Sequence, residues 1–126
     1  MGRKKYSLPF DKRGGRIVTQ LIMLNSKTYL ALPPQAKVLM TLLHIHYRNE
    51  KAVDYGVREA AEKIPCSEKL ASKAFKLLQE NGFIECVEQS TFRSRTGSKS
   101  RSWRLTWMPY HSRKPTNEWE KLGAKN

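Results

Sequence analysis

The chain has 126 residues and a net charge of +13, with 24 Lys or Arg against 11 Asp or Glu. That length suits one domain with a single modest core, and a hydrophobic content of 39% with three tryptophans argues against disorder throughout. No apolar run is long enough to cross a bilayer, and the basic N-terminus lacks the apolar stretch of a secretory signal. The two widely spaced cysteines predict reduced thiols in a cytoplasmic protein.

The positive charge is concentrated in two segments. Residues 1–16 carry six Lys or Arg and one Asp, and residues 90–114 carry seven Lys or Arg and no acid. Residues 17–89 are nearly neutral, with nine basic and eight acidic side chains. Solubility alone does not require such segregation, whereas a polyanionic partner would exploit it. The pattern therefore favours a nucleic-acid ligand over the alternative of two solvated charged segments.

The N-terminal quarter of the chain predicts an arm followed by short elements. Residues 1–16 are expected to form a flexible basic arm that ends near two adjacent glycines. The apolar run at 17–24 fits a strand or a short helix, because periodicity cannot decide so short a run. Ser26 is a good helix cap and predicts a turn of helix over residues 27–30.

The first long helix is predicted to begin at Pro34, since proline suits the first helical position, and to close at Arg48 and Asn49. Its apolar face is expected to comprise Ala36, Leu39, Leu42, Leu43 and His46, widened by Val38 and Ile45. The stretch EKAVDYG at 50–56 is expected to be a polar connection that turns at its glycine.

Residues 57–82 predict a helix, a tight turn and a second helix. The first helix has one apolar face and stops at a proline; the face is Val57, Ala60, Ala61 and Ile64. Ser67 is expected to cap the second helix, and Asn81-Gly82 to end it with a left-handed residue. The inward stripe of the second helix is predicted to be Ala71, Ala74, Phe75 and Leu78, joined by Leu70 and Leu77.

A hairpin with a long basic tip is predicted next. FIECVEQ at 83–89 is rich in strand formers, SWRLTW at 102–107 alternates, and the stretch between them is too long for a tight turn. Trp103, Leu105 and Trp107 share one strand face and are expected to anchor the core, whereas Arg104 points the other way. In the tail that follows, Thr116 is expected to cap a short helix carrying Trp119 and Leu122.

This order of elements resembles the winged helix-turn-helix DNA-binding domains of prokaryotic regulators and of plasmid or phage replication proteins. The likeness rests on VREAAEKIPCS as positioning helix and turn, SEKLASKAFKLLQENGFIE as recognition helix, and residues 83–107 as wing. It implies a mainly α fold with a small β-hairpin: an arm at 1–16, a domain at 17–107 and a tail at 108–126. Effector-binding members commonly carry Gly-x-Gly in the wing and a second domain, which this sequence lacks, so no small-molecule effector is evident.

The resemblance implies three groups of DNA-binding residues. The recognition-helix group, for the major groove, is Ser67, Lys69, Ser72, Lys73 and Lys76. The wing group, for phosphates or the minor groove, is Arg93, Arg95, Lys99, Arg101 and Arg104. The arm and the positioning helix contribute Arg3, Lys4, Lys5, Lys12, Arg13, Arg16 and Arg58. A solvated helix face and a disordered, merely electrostatic arm are the alternatives, and Glu68 is better explained by the helix N-terminus than by a base contact.

Catalytic and metal chemistry find little support in the sequence. His44 and His46 lie about 200° apart around a helix, so they cannot bind one metal together. Cys66 and Cys86 have no neighbours at ligand spacing, and Cys66 is expected to be a small buried residue. No Gly-rich phosphate loop, nucleophile elbow or carboxylate pair stands out. We therefore expect no enzyme activity, no metal site and no cofactor.

These observations predict a sequence-specific binder of double-stranded DNA: a small prokaryotic transcription regulator, carried on a mobile element and associated with the nucleoid. A homodimer formed through residues 17–24 or through the Trp119 tail is a further hypothesis, because small DNA readers usually pair. Three alternatives stay open: an RNA- or ribosome-associated winged helix, a replication or recombination accessory factor, and an adaptor whose basic loop meets an acidic protein.

Overall fold

The computed structural model describes residues 15–89 and 101–122. Within these two ranges the elements in chain order are α1 (Leu21–Leu24), α2 (Lys27–Leu30), α3 (Pro34–Ile45), β1 (Val53–Asp54), α4 (Val57–Lys63), α5 (Glu68–Glu80), β2 (Ile84–Gln89), β3 (Arg101–Leu105) and α6 (Glu118–Leu122). The chain is mainly helical with one small antiparallel sheet, as predicted at that level of detail. Over the same ranges, the structure contains no helix with the length and apolar character needed to cross a membrane.

Local sequence signals set several of the observed helix boundaries. Pro34 occupies the first turn of α3, where its missing N–H leaves no hydrogen bond unmade. The Ser67 hydroxyl accepts a hydrogen bond from the Leu70 amide at 3.1 Å and caps α5. Gly82 follows the end of α5 with φ of +83°, in the left-handed region that glycine adopts readily. These three predictions are confirmed.

The buried faces of α3 and α5 differ in part from the prediction. The residues of α3 that are buried are Ala36, Leu39, Met40, Leu43 and His44. Val38, Ile45 and His46, which were expected on this face, are exposed. In α5 the predicted stripe is buried, but Leu70 is exposed. The expected faces were too wide because apolar side chains at their margins were counted as core, although only the tertiary partners of a helix decide how wide its buried stripe is.

The sheet contains a strand that the sequence did not suggest. Its order is β1-β3-β2, with both pairings antiparallel. β1 has only two residues; Val53 pairs with Trp103, and the Asp54 carboxylate accepts a hydrogen bond from the Ser102 hydroxyl. The stretch at 50–56 is therefore not merely a polar connection. A strand of two residues is too short for a periodic pattern, so only its partner reveals it.

The core lies between the helices and the sheet. Fully buried alanines on α3, α4 and α5 (Ala36, Ala60, Ala71 and Ala74) allow the three helices to pack closely. Trp103, Leu105 and Trp107 are all buried, as predicted. Phe75 of α5 stacks on Trp103 of β3, with ring centroids 5.3 Å apart and an interplanar angle of 26°. This aromatic pair fixes α5 against the sheet.

The segment after β3 folds back onto this core. The Tyr47 hydroxyl donates to the Pro109 carbonyl at 2.7 Å, and the Asn117 amide donates to the Thr106 carbonyl at 2.9 Å. Trp119 is 4% exposed and stacks almost parallel to Phe83. The predicted short helix is present, but it begins at Glu118, one residue later than a Thr116 cap requires. The described part of the tail thus completes the core.

Candidate nucleic-acid interface

The outward face of α5 carries a stripe of lysines. Lys69, Lys73 and Lys76 are spaced four and three residues apart and are exposed, while the opposite face of the helix is buried. This spacing places the three side chains on one side of the helix. Within the described ranges none of these lysines forms an ion pair with an acidic side chain. Their charges are therefore available to an anionic partner.

The N-terminus of α5 is organised by its cap and by one exposed ion pair. Because the Ser67 hydroxyl accepts from the Leu70 amide, one of its acceptor sites is occupied by the helix. Glu68 lies 3.9 Å from Arg58, and both side chains are mostly exposed. An exposed pair at that distance contributes little, so Arg58 stays free to exchange Glu68 for a phosphate. Glu68 also suits the positive end of α5, as expected.

A groove lies between α5 and the first residues of β3. Its volume is about 340 Å³, and its lining residues are Tyr55, Gly56, Val57, Ser72, Phe75, Lys76, Gln79, Arg101 and Trp103. Of the predicted site residues, Ser72 and Lys76 come from the recognition-helix group and Arg101 from the wing group. The structure thus brings the lysine-bearing side of α5 and the root of the hairpin to one surface.

The charge of the groove has one sign. Lys76 and Arg101 line it, and none of its described lining residues carries a carboxylate. The Ser72 hydroxyl and the Gln79 amide add hydrogen-bond donors on the same flank of α5. Such a surface can bind phosphate oxygens through charge-assisted hydrogen bonds.

Arg104 differs from Arg101 because its guanidinium contacts other side chains of the protein. Its Nη1 lies 3.4 Å from Glu85 Oε1, and its guanidinium lies 5.4 Å from the centroid of the Tyr110 ring. The side chain is 18% exposed. Arg104 points away from the Trp103 and Leu105 face, as predicted, but its charge is partly neutralised by Glu85. It is therefore a weaker candidate for a phosphate contact than Arg101.

Several predicted site residues lie outside the described part of the chain. These are Arg93, Arg95 and Lys99 of the hairpin tip, and Arg3, Lys4, Lys5, Lys12 and Arg13 of the arm. Arg16 is described and is exposed. The assignments of these residues to DNA stay predictions.

The groove also contains residues that the sequence did not indicate as part of a site. Tyr55 and Gly56 connect β1 to α4, Val57 is the first residue of α4, and Gln79 lies near the end of α5. The sequence could have indicated Gln79 as a site residue, because it lies seven residues after Ser72 on the same flank of the helix. No sequence pattern could have indicated the β1–α4 connection, since only the pairing of β1 with β3 brings it beside α5.

The histidine on the buried face of α3 has a structural role. Trp107 Nε1 donates to His44 Nδ1 at 3.4 Å, and Thr19 Oγ1 lies 3.5 Å from the same nitrogen. Burial lowers the pKa of His44 below its ordinary value of 6.5. Across residues 15–89 and 101–122, no three His, Cys, Asp or Glu side chains cluster in a way that could hold a metal ion.

Cys66 is half-buried instead of fully buried, and its thiol lies 3.4 Å from the Ser67 carbonyl. The turn between α4 and α5 therefore leaves part of this side chain accessible.

Comparison with family models, with curated protein sequences and with solved structures finds no match to this chain. Inference about its function therefore depends on its own residues and their geometry.

Proposed function

We propose that the chain is a winged helix-turn-helix protein that binds double-stranded DNA in a sequence-specific manner and acts as a small transcription regulator. The element order α3, β1, α4, α5, β2, β3 supports this, because a helix-turn-helix pair is followed directly by a hairpin. The sheet order β1-β3-β2 adds support, since it pairs the hairpin with a strand that precedes the helix-turn-helix. In this proposal α4 is the positioning helix, α5 the recognition helix, and β2–β3 the wing.

One observation carries the functional proposal. Ser72 and Lys76 of α5 and Arg101 of β3 line the same groove, and its described lining has no carboxylate. Beside it lie the lysines of α5, which form no ion pair within the described residues. A duplex presents base edges in its major groove and a line of phosphates at each side. A cationic helix flanked by a cationic hairpin complements that arrangement, because the helix enters the groove while the hairpin follows the backbone.

Residues of α5 divide between base contacts and backbone contacts. Lys69 and Lys73 lie in the first half of the helix, the part that contacts base edges in helix-turn-helix complexes. Lysine donates to guanine O6 and N7, and Ser72 between them is short enough to permit close approach. Arg58 and the wing arginines supply contacts to phosphates, which position the protein without reading sequence.

The proposal is tested by selection of binding sites from a pool of random duplexes, followed by salt titration on the recovered site. We expect enrichment of a shared motif. If about six phosphates are neutralised, log K falls with log salt at a slope near −5. A pool without a motif, or an affinity that does not change with salt, would contradict the proposal. Stronger competition by structured RNA or by an acidic protein would favour those alternatives instead.

Variants of α5 sharpen this test. Lys69→Ala or Lys73→Ala is expected to relax the preferred base at one position of the motif, at about 1–3 kcal/mol per lost base contact. Lys121→Ala, which removes an exposed lysine from α6, is the matched control and leaves the motif unchanged. Equal effects of the Lys69 and Lys121 substitutions on the motif would contradict the assignment of α5 as the recognition helix.

We also propose that two copies pair through residues 17–22. Four aliphatic side chains in this segment are exposed, namely Ile17, Val18, Leu21 and Ile22. No ionisable residue occurs between Arg16 and Lys27, so the surface at 17–22 carries no charge of its own, although each chain as a whole is strongly basic. The Trp119 alternative has little support, because that ring is already covered by Phe83.

A further inference from the structure

We infer that the groove between α5 and β3 holds one phosphodiester of the bound DNA strand, and that Lys76 and Arg101 both bind this phosphate. The inference depends on the proposed function and adds to it a specific contact. It makes the groove the point at which the recognition helix and the wing share a single backbone group. Two cations from elements far apart in sequence would then fix the angle between α5 and the hairpin on the duplex.

The position of the groove determines which part of a bound DNA strand lies over it. Ser72 and Lys76 come from α5, and Arg101 is the first residue of β3. A strand that is contacted by α5 on one side and by the hairpin on the other must cross the space between them. That space is the groove, so the backbone of this strand lies over it.

The two positive charges of the groove favour an anion. Lys76 and Arg101 are exposed, and neither forms an ion pair with an acidic residue in the described ranges. The Ser72 hydroxyl offers a neutral donor beside them. Arginine and lysine together present several N–H donors, enough to pair with both non-bridging oxygens of one phosphodiester.

The floor of the groove favours sugar and phosphate over a nucleobase. Phe75 and Trp103 stack on each other, and Trp103 Nε1 donates to the Tyr55 carbonyl at 3.3 Å, so these rings are held in place. The two rings are 5% and 2% exposed. Because their faces are already covered, an unstacked base would find no free ring on which to lie. The floor therefore offers little for base stacking, which leaves the backbone as the part of a strand that the groove can hold.

Salt titration of three variants tests whether one phosphate is shared. We expect Lys76→Ala and Arg101→Ala each to weaken binding to every duplex by a similar factor, because a phosphate contact carries no sequence information. Each neutralised phosphate contributes about 0.9 to the slope of log K against log salt. The double variant should therefore lose about 0.9 of slope if the phosphate is shared, and about 1.8 if the two cations contact separate phosphates.

The phosphate itself can be located with neutral backbone substitutions. A series of duplexes, each with one methylphosphonate at a different position, is titrated with the wild type, the double variant and Lys121→Ala. We expect one position at which the wild type and Lys121→Ala lose affinity and the double variant does not. Because Lys76 and Arg101 are exposed, the variants should show wild-type thermal unfolding, which is measured as the folding control.

The outcomes distinguish the inference about the groove from the proposed function. A slope loss near 1.8, two sensitive positions, or no sensitive position would overturn the shared phosphate while leaving DNA binding intact. A wild-type protein that binds no duplex would overturn the proposed function, and the inference about the groove with it. One sensitive position together with a slope loss near 0.9 would support both.

Discussion

Gly82 lies where the end of α5 approaches the start of α6. Its φ is +83°, and a Cβ placed there would lie 2.7 Å from the backbone carbon and oxygen of Glu118. Both the dihedral angle and the close approach therefore require glycine at this position. Asn81-Gly82 signalled the helix end in the sequence, but the contact with Glu118 depends on the folded-back tail.

Gly82→Ala is expected to lower the free energy of unfolding by about 2 kcal/mol or more, since backbone strain and a clash with backbone atoms act together. Gly56→Ala is the matched control, because nothing lies within 4 Å of its added Cβ and its φ is −110°. That change should stay within about 1 kcal/mol. Urea denaturation measures both, and equal losses would contradict the close approach of α5 and α6.

His44 makes stability depend on pH in a defined direction. Its ring is packed among Tyr47, Trp107 and Thr19, and burial lowers its pKa below 6.5. The unfolded chain then binds a proton at a higher pH than the folded chain does. The stabilising contribution of neutral His44 is therefore complete above pH 6.5 and is lost as the pH falls below 6.5 towards the lowered pKa.

We expect the difference in unfolding free energy between wild type and His44→Gln to shrink as the pH is lowered from 7.5 to about 5. The comparison is made by urea denaturation at each pH, so that groups common to both proteins cancel. His46→Gln serves as the control, because His46 is exposed at the C-terminal end of the same helix. A difference that stays constant with pH would show that His44 titrates alike in the folded and unfolded chains.

At the scale of elements, α5 was the easiest to predict and β1 the hardest. The cap at Ser67, the inward stripe of α5 and the lysines opposite it are all local, because helical periodicity turns spacing into faces. The margin of each buried stripe was misjudged at Leu70 and at Val38, where the neighbouring elements leave the side chain exposed. β1 was missed because it exists only through its pairing with β3.

The C-terminal tail is only weakly predicted by its local sequence, yet its helix contributes a buried tryptophan to the core. α6 has only five residues and cannot be stable alone, yet Trp119 is buried against Phe83. We expect Trp119→Ala to lower the free energy of unfolding by about 3–5 kcal/mol, through the lost burial and the cavity left behind.

Lys121→Ala on the same helix is the control for that experiment. Its side chain is exposed, so the change should stay within about 0.5 kcal/mol. Chemical denaturation of the two variants would distinguish a tail that completes the core from one that merely rests on the surface. A loss below about 1 kcal/mol for Trp119→Ala would indicate the second case.

At the scale of the whole molecule, the separation of charge from apolar surface bears on assembly. The exposed aliphatic residues at 17–22 lie in a stretch without ionisable side chains, while the chain as a whole carries +13. Pairing through this stretch should therefore strengthen as salt rises and screens the mutual repulsion of two copies. DNA binding should weaken over the same range of salt, since it releases counterions.

Sedimentation equilibrium across a range of salt concentrations tests the pairing. Leu21→Asp should shift the protein towards monomer, because a buried, unpaired carboxylate opposes association. Val87→Asp is the control, since Val87 is an exposed aliphatic residue on β2, outside this segment. A wild type that remains monomeric at high salt, or equal effects of the two substitutions, would exclude residues 17–22 as the contact.

The sequence by itself determined the segregation of charge, the consecutive helices α4 and α5, the capping of α5 and the three residues that anchor the hairpin. These properties follow from composition, spacing and short-range backbone preferences, which act within a few residues. Tertiary structure alone decided that Lys76 and Arg101 line one groove, that the β1–α4 connection closes it, and that Trp119 completes the core. These relations join residues far apart in the chain, and no local pattern encodes a contact whose partner lies in another element.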